Sequence, residues 1–302
     1  MNEKAALDSA VLRGVRRAPA LIGHRRGYRV MDRLARVLEP RLRGMRTVQH
    51  AWGSMEYDLD QYVERLLAYE LFGEELPSLM ELLLLRPGDV FVDAGANIGY
   101  ITVRALSLVG ETGRVISFEA HPGNRKRLLA AISRVGAAER CDTPEGALFE
   151  KSGEIVKFFC LARGVDSTLA ANGEGTPVEI PTITFDDVVA GTGAVRLLKI
   201  DIEGAEMTAL RGGMRWLGSD SRPQFIYSEL NPRLLKAMNT SAAELHAFYC
   251  GLGYRPWDVA WAGRGWKLKG SRFTGVPAFE SNGDFLYARG DAEEAELARH
   301  FK

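Results

Sequence analysis

The chain has 302 residues, of which 46% are hydrophobic and 26% charged, and its formal net charge is zero. A chain of this length and composition buries a sizeable core, which excludes a largely disordered protein. The zero net charge gives no overall attraction toward nucleic acid or acidic substrates, so we expect no nucleic-acid partner.

Positive charge is concentrated at the start of the chain. Residues 1–48 hold twelve Lys or Arg and four Asp or Glu, so this arm carries about +8 and the rest of the chain about −8. Within it, residues 29–42 place aliphatic side chains on one helical face and arginines on the other, which predicts a basic amphipathic helix. Such a helix packs on its own domain, lies on a membrane surface or contacts a partner, and the sequence leaves these alternatives and a homo-oligomer open.

Cysteine use and hydropathy indicate the compartment. Cys141, Cys160 and Cys250 show no CxxC spacing and are too few for a disulfide framework. No stretch approaches the roughly 18 apolar residues that a membrane span needs. We therefore expect a cytoplasmic protein that does not cross a membrane.

From residue 90 onward, short apolar runs alternate with amphipathic helical segments. This alternation predicts the α/β class, a parallel sheet covered by helices on both faces in doubly wound fashion. Residues 60–85, ahead of it, are expected to be helical in two parts that separate near Pro77. The predicted strands are 90–93, 114–119, 197–201 and 225–229, and the predicted helices are 98–109, 124–135, 205–216 and 241–252.

The middle and the end of the chain are richer in β-type residues. Residues 141–194 suggest an inserted hairpin with one strand at 155–161, and strands at 255–259 and 285–288 suggest a closing antiparallel hairpin. Residues 291–302 predict a short acidic helix or a frayed tail. The expected organisation is a basic, partly helical extension over 1–54, one domain over 55–290 and an acidic tail over 291–302.

The strongest chemical signal is a strand that turns tightly into a helix between Val90 and Tyr100. Glycines let the backbone approach a ligand there, and the helix start offers unpaired N–H groups. The spacing Gly95-x-x-x-Gly99 departs from the GxGxxG of nicotinamide and flavin sites. Asp93, at the strand end, repels a diphosphate but suits the ammonium and nearby sulfonium of S-adenosylmethionine.

A second acid, Glu119, ends the next predicted strand, 26 residues after Asp93. A carboxylate at that position accepts hydrogen bonds from both ribose hydroxyls of a nucleoside cofactor. The same geometry serves NAD enzymes, so Glu119 alone does not distinguish the two cofactors.

Three strings together are similar to the FkbM-type methyltransferases, a family that uses S-adenosylmethionine. They are FVDAGANIGY over 91–100, FEAHP over 118–122 and KIDIEGAE over 199–206. The resemblance runs from about residue 55 to 289. It implies a Rossmann-like class I methyltransferase sheet with strand order 3-2-1-4-5-7-6 and an antiparallel last strand, preceded here by the N-terminal helical extension.

The resemblance also implies which residues bind the cofactor. It gives contacts from Asp93, Gly95, Asn97, Gly99 and Glu119. The matched strings add Ala96, Ala120, His121 and Asp201 to the predicted cofactor-binding set, and the resemblance, which also includes Ala147-Leu148, adds Ala147. Ala120 departs from the family pattern, which usually has proline after the acid, and this change leaves the ribose role of Glu119 intact.

Methyl transfer is an in-line displacement at a sulfonium, so the protein aligns the acceptor oxygen and removes its proton. Asp201 is our first choice for that proton acceptor, because it ends the strand beside the glycine turn. Glu203 and Glu206 follow at the start of the next helix, and Lys199 is expected to pair with one of these acids.

Glu229 and Asn231, beyond the next strand, are expected to line the acceptor pocket. Together with Asp201 they form an oxygen set suited to Mg²⁺, which we keep open but do not favour, so no residue is assigned to a metal.

The sequence therefore predicts an S-adenosylmethionine-dependent enzyme that O-methylates a hydroxyl on a sugar, glycan or secondary metabolite. Two alternatives remain: an NAD-dependent oxidoreductase on a similar sheet, and a non-catalytic binding module that keeps the cofactor fold.

Overall fold

A computed structural model describes residues 43–70, 76–160, 169, 175–189, 191–262, 267–273 and 283–301. The predicted basic helix at 29–42 lies outside these residues. The strands are β1 Met45–His50, β2 Gly53–Asp58, β3 Val90–Ala94, β4 Arg114–Phe118, β5 Cys141–Asp142, β6 Ala147–Leu148, β7 Ile155–Cys160, β8 Thr176–Ile183, β9 Val195–Ile200, β10 Phe225–Leu230, β11 Arg255–Ala262, β12 Lys267–Arg272 and β13 Gly283–Ala288.

Helices separate most of these strands. The α-helices are α1 Tyr62–Ala68, α2 Leu76–Leu79, α3 Tyr100–Val109, α4 Pro122–Arg134, α5 Phe185–Val188, α6 Glu206–Arg211, α7 Met214–Leu217, α8 Pro232–Ala237, α9 Ala242–Gly251 and α10 Asp291–His300. A π-helical turn, Met80–Leu84, continues α2, and a 3₁₀ turn, Ala138–Arg140, precedes β5.

The central sheet has eight strands in the order β12-β11-β13-β10-β9-β3-β4-β5. The neighbours from β5 to β10 pair in parallel, and β13 runs antiparallel to both β10 and β11. When β12 at the edge is left out and the other seven strands of this sheet are renumbered along the chain, their order from β5 to β11 is 3-2-1-4-5-7-6. The predicted α/β class is confirmed, and the sequence analysis missed β12.

Both faces of the sheet are buried, which explains why its central strands are almost continuously apolar. Successive residues of a strand point to opposite faces. Phe91 and Leu197 accordingly join a core cluster that includes side chains of α3, α4 and α10. Their neighbours Val92 and Leu198 join the opposite cluster, which includes side chains of α6, α8 and α9.

The N-terminal part of the described chain is a hairpin that belongs to the domain core. Strands β1 and β2 pair antiparallel, and Val48, Met55 and Tyr57 pack into the same cluster as α3. The expected domain boundary between residues 54 and 55 falls inside this hairpin. Residues 45–54 therefore belong with the domain rather than with the extension, because β1 pairs with β2 and Val48 is buried in the domain core.

A second, three-stranded sheet of order β6-β8-β7 lies in the inserted middle region. The strand expected at 155–161 is β7, and it pairs antiparallel with β8, so that Ile155 faces Pro181. Leu161 lies outside the described residues. Strand β6 pairs in parallel with the other side of β8.

One helix prediction needs correction. The helix expected at 205–216 is divided into α6 and α7 at Gly212–Gly213, where a Cβ on Gly212 would lie 2.1 Å from the carbonyl oxygen of Phe149. The two helical parts expected to separate near Pro77 are α1 and α2. Pro77 lies in the first turn of α2, where the helical N–H groups need no intrahelical partner.

The C-terminal segment is a docked helix rather than a frayed tail. Leu297 on α10 is fully buried, and Glu296 pairs with Arg196 of β9 at 2.6 Å. Arg255 of β11 forms ion pairs with Asp291 and Glu294. This helix therefore closes the core at the end of the sheet away from the glycine turn.

Among the described helices, none combines the length and the apolar character that a membrane crossing requires. The three cysteines are free thiols.

We expect Leu297→Ala to lower the free energy of unfolding by about 2–4 kcal/mol, because it leaves a cavity under α10. Urea unfolding measures this difference. Arg299→Ala, on the exposed face of the same helix, should change stability by less than about 0.5 kcal/mol. Equal effects of the two substitutions would show that α10 does not contribute to the core.

Candidate active site

The glycine turn joins β3 to α3 through three residues in the left-handed region. Gly95, Asn97 and Gly99 have φ angles of 84°, 51° and 94°. A Cβ on Gly95 would lie 1.8 Å from the carbonyl oxygen of Asp201. Only glycine fits at position 95, because the turn after β3 and the loop after β9 touch through their backbones.

The amide groups of this turn bind the end of the neighbouring strand. The N–H groups of Gly95 and Ala96 both donate to the carbonyl of Phe118, at 3.0 and 2.9 Å, and the N–H of Asn97 donates to Glu119 Oε2 at 2.7 Å. The N–H of Gly99 donates to the carbonyl of Ala96. These contacts hold the turn against β4.

A cavity with about 680 Å³ of empty space, part of it open to solvent, lies at the carboxyl ends of β3, β4 and β9. Its place is where ligands bind in open α/β sheets. The predicted site residues that line it are Gly95, Asn97, Glu119, Ala120, Ala147, Asp201 and Glu203.

Glu119 is fixed by two backbone groups at the cavity wall. Its Oε1 accepts a hydrogen bond from the N–H of His121 at 2.8 Å and its Oε2 accepts one from Asn97. Burial raises the pKa of Glu119 to about 7, although both hydrogen bonds act in the opposite direction. The carboxylate is thus held where hydroxyl donors in the cavity reach it.

His121 acts as the N-cap of α4 rather than as part of the cavity lining. Its Nδ1 accepts hydrogen bonds from the N–H groups of Gly123 and Asn124, at 3.1 and 3.2 Å, so the neutral ring carries its proton on Nε2. Burial lowers the pKa of His121, which favours this neutral form.

Asp93 lies behind the glycine turn and does not line the cavity. Its side chain is fully buried, Oδ2 accepts a hydrogen bond from Thr102 of α3 at 2.6 Å, and Oδ1 lies 3.5 Å from Lys199 Nζ. This position does not favour the predicted contact with a ligand ammonium, which stays a prediction. The strand pleat points the side chain of residue 93 toward α3 rather than off the strand end.

Lys199 pairs with Asp201, as the sequence suggested, and also reaches the glycine turn. Its Nζ lies 3.6 Å from Asp201 Oδ2 and donates to the carbonyls of Gly95 and Ala94, at 2.6 and 3.3 Å. The side chain of Lys199 joins the two backbone segments from behind and does not line the cavity.

The loop between β9 and α6 is shaped by Glu206. Its Oε1 accepts hydrogen bonds from the N–H groups of Ile202 and Gly204, at 2.9 and 3.2 Å, and burial raises its pKa to about 7. Glu203 has a φ of 56° in this loop and lines the cavity. Of these two acids, therefore, Glu203 lines the cavity while Glu206 supports the backbone.

Glu229 lies beside the cavity, opposite Asp284 in the β10–β13 ladder. Burial, followed by the charges of Asp201 and Glu203, raises the pKa of Glu229 to about 9. Glu229 is not part of the cavity lining.

The oxygen set proposed for Mg²⁺ loses one member. Asn231 caps α8, where its Oδ1 accepts from the N–H of Leu234 at 3.4 Å. Across the described part of the chain, no three His, Cys, Asp or Glu side chains are grouped so that they would hold a metal ion.

Several cavity residues were missed by sequence reasoning. Asn124, Gly146 and Phe158 line the cavity from α4, the β5–β6 connection and β7. Gly146 has a φ of 141°, and a Cβ there would lie 2.8 Å from the carbonyl oxygen of Pro181. A glycine directly before the matched Ala147 was a usable signal, whereas Phe158 comes from a sheet that no local pattern places near β4.

Gly95→Ala should lower the free energy of unfolding by more than about 2 kcal/mol, because the added methyl meets the Asp201 carbonyl. Thermal or urea unfolding measures the loss. Gly136→Ala is the matched control, since Gly136 also has a positive φ but no atom within 4 Å of the added Cβ. It should cost only about 1–2 kcal/mol of left-handed strain. A Gly95→Ala protein as stable as this control would contradict the close approach.

Comparison with solved structures gives distant similarities. A methyltransferase FkbM from Methylobacillus flagellatus KT is 16% identical, with a TM-score of 0.45, over 76% of this chain. This chain spans about half (52%) of the length of that protein. Fibrillarin from Aeropyrum pernix, with natively bound S-adenosyl-L-methionine, is 12% identical with a TM-score of 0.40 over 70% of this chain and 73% of its own. An O-methyltransferase from Bacillus cereus in complex with SAH is 15% identical with a TM-score of 0.39, over 70% and 77%.

No protein of curated function matches the sequence. The model of the methyltransferase FkbM domain matches residues 93–256, which is more than half of the chain and includes the glycine turn, Glu119 and the β9–α6 loop. This match favours methyl transfer over the nicotinamide-dependent alternative. The chain belongs to the FkbM family of S-adenosylmethionine-dependent methyltransferases.

Proposed function

We propose that this protein transfers a methyl group from S-adenosylmethionine to a hydroxyl oxygen on a sugar, glycan or secondary metabolite. The observation that carries the proposal is that Asp201 and Glu119 line one cavity. That cavity thus joins an acid suited to ribose hydroxyls to an acid suited to an acceptor hydroxyl.

The residues around the cavity fit the cofactor. Glu119 accepts from the two ribose hydroxyls, and the apolar side chains of Leu148 and Phe158 offer a surface for the adenine ring. When bound, S-adenosylmethionine supplies an electrophilic methyl group on a positively charged sulfur. The carboxylates of Asp201 and Glu203 favour that positive charge at their end of the cavity.

Asp201 is the group proposed to receive the acceptor proton. Its side chain is 41% exposed, so a hydroxyl from solvent reaches it without displacing a core residue. The Lys199 contact and the backbone contact to Gly95 hold the Asp201 loop in place. A fixed carboxylate orients the hydroxyl for in-line attack and takes up its proton.

Glu229, beside the cavity, is proposed to influence the charge of the site rather than to act as a base. Burial and the charges of Asp201 and Glu203 raise its pKa to about 9, which favours the protonated carboxyl at neutral pH. A neutral carboxyl beside the Asp201 and Glu203 charges also lowers the repulsion at this end of the sheet.

The first experiment is calorimetric titration of the whole chain with S-adenosylhomocysteine, with and without EDTA. We expect micromolar binding, followed by methylation of a compound in a hydroxyl-acceptor screen. Absence of binding would contradict the cofactor site, and a product methylated on nitrogen would contradict the hydroxyl assignment. Loss of activity in EDTA would establish a role for Mg²⁺.

Affinity for S-adenosylhomocysteine should fall as the pH drops below about 7, because ribose hydroxyls bind the ionised form of Glu119. The raised pKa places this loss near neutrality instead of near the usual glutamate value of about 4.3. Titrations at several pH values measure it. Glu119→Gln should bind about tenfold more weakly at pH 8 and lose most of the pH dependence. A wild-type profile that stays flat down to pH 6 would refute the assignment.

Asp201→Asn should bind S-adenosylhomocysteine within about threefold of wild type but lower turnover by at least about 100-fold, because the amide does not take up the proton. Methyl transfer to the acceptor found in the screen measures turnover. Asp220→Asn, an exposed change of the same chemistry, serves as the control. Turnover near the control level would show that another group receives the proton.

A further inference from the structure

Directly behind the cavity, a chain of buried polar side chains runs from β4 to β9 on the face of the sheet that α3 covers. Ser117 Oγ lies 3.0 Å from Thr102 Oγ1, which donates to Asp93 Oδ2 at 2.6 Å, and Asp93 Oδ1 lies 3.5 Å from Lys199 Nζ. All four residues are less than a tenth exposed. This buried polar chain links β4, α3, β3 and β9, so it joins the strands whose ends form the cavity.

This buried polar chain ends at Lys199, which contacts the two segments after β3 and β9 that line the cavity. Lys199 Nζ donates to the Gly95 carbonyl at 2.6 Å and lies 3.6 Å from the Asp201 carboxylate. Gly95 and Asp201 line the cavity, whereas Asp93 and Lys199 do not. The Lys199 ammonium therefore contacts two residues that line the cavity without lining the cavity itself.

Lys199 and Asp93 depend on each other for their charges. An unpaired ammonium or carboxylate in a buried position is strongly disfavoured, and removing one partner leaves the other uncompensated. Burial raises the pKa of Asp93, and the Lys199 charge is the largest effect in the opposite direction. Asp93 thus pairs with Lys199, and the Lys199 charge favours the ionised form of Asp93.

We propose that Lys199 is a positioning residue that fixes the Gly95 carbonyl and the Asp201 carboxylate relative to each other. Asp93 then acts on the cofactor site only through Lys199. The inference rests on the proposed function, because it takes the cavity to be the cofactor site. It assigns to the acid of the glycine turn an indirect role instead of direct contact with the methionine ammonium.

The two roles of Asp93 differ in how its loss combines with the loss of Lys199. If Asp93 acts through Lys199, removing it in a protein that already lacks Lys199 has no further effect on affinity. If Asp93 contacts the ligand, the two losses add. A double-mutant cycle on affinity therefore separates the roles, and a purely structural contribution appears in the melting temperature instead.

The test is titration of S-adenosylhomocysteine into wild type, Lys199→Met, Asp93→Asn, the double variant and Ser117→Ala, with melting temperatures for all five. We expect Lys199→Met to bind about tenfold more weakly. Adding Asp93→Asn to Lys199→Met should change affinity by less than about twofold while raising the melting temperature, because the unpaired buried charge is removed. Ser117→Ala removes an equally buried hydroxyl that does not touch Lys199, and it should bind like wild type.

Three results would overturn the inference. One is wild-type affinity for S-adenosylhomocysteine in Lys199→Met or in the double variant. The double variant has no unpaired buried charge, so it tests the inference even if Lys199→Met fails to fold. Another is a further tenfold loss when Asp93→Asn is added. The third is a loss in Ser117→Ala that equals the loss in Lys199→Met.

A second ligand tells failure of the inference from failure of the proposed function. 5′-Methylthioadenosine lacks the amino-acid part of the cofactor, so a direct contact from Asp93 to the ammonium predicts that Asp93→Asn weakens S-adenosylhomocysteine alone. A wild-type protein that binds neither ligand refutes the proposed function and this inference together. A wild type that binds, with variants that bind equally well, refutes the inference alone.

Discussion

The structure of the site depends on the contact between the backbones after β3 and β9. The missing side chain of Gly95 lets the Asp201 carbonyl lie where a Cβ would be, and the Asp201 N–H donates to the Ala94 carbonyl at 3.1 Å. Adjacent parallel strands bring these two loops to the same edge of the sheet. Glu119, which follows β4, and Asp201, which follows β9, therefore line one cavity.

The acids at this edge have different surroundings. Glu119 accepts hydrogen bonds from two backbone amides, Glu206 accepts them from its own loop, and burial together with the charges of Asp201 and Glu203 raises the pKa of Glu229. Asp201 lies beside the Lys199 ammonium, and its side chain is 41% exposed. Hydrogen bonds and burial thus differ at each position, which supports the separate roles proposed for these four acids.

Local patterns predicted the long elements well and the short ones poorly. Strands β3, β4, β9 and β10 followed from continuous apolar runs, and α3, α4 and α9 from their helical periodicity. Strand β12 is polar and lies at the edge of the sheet, so it lacks the apolar signal of a buried strand. Helix α8 was missed although Asn231–Pro232 is a helix-start signal, because Asn231 was assigned to the pocket instead.

By itself the sequence determined the α/β class, the family and the chemical types at the strand ends, because glycine, acid and apolar periodicity are local properties. Only the tertiary structure decided which acids face the cavity. Asp93 and Glu119 look equivalent along the chain, yet Asp93 is fully buried behind the turn and Glu119 lines the cavity, because Asp93 lies within β3 and contacts α3 whereas Glu119 follows the last residue of β4. The contribution of Phe158 from β7, and the hold of Lys199 on Gly95, depend on contacts between residues far apart in sequence, and no local pattern encodes these.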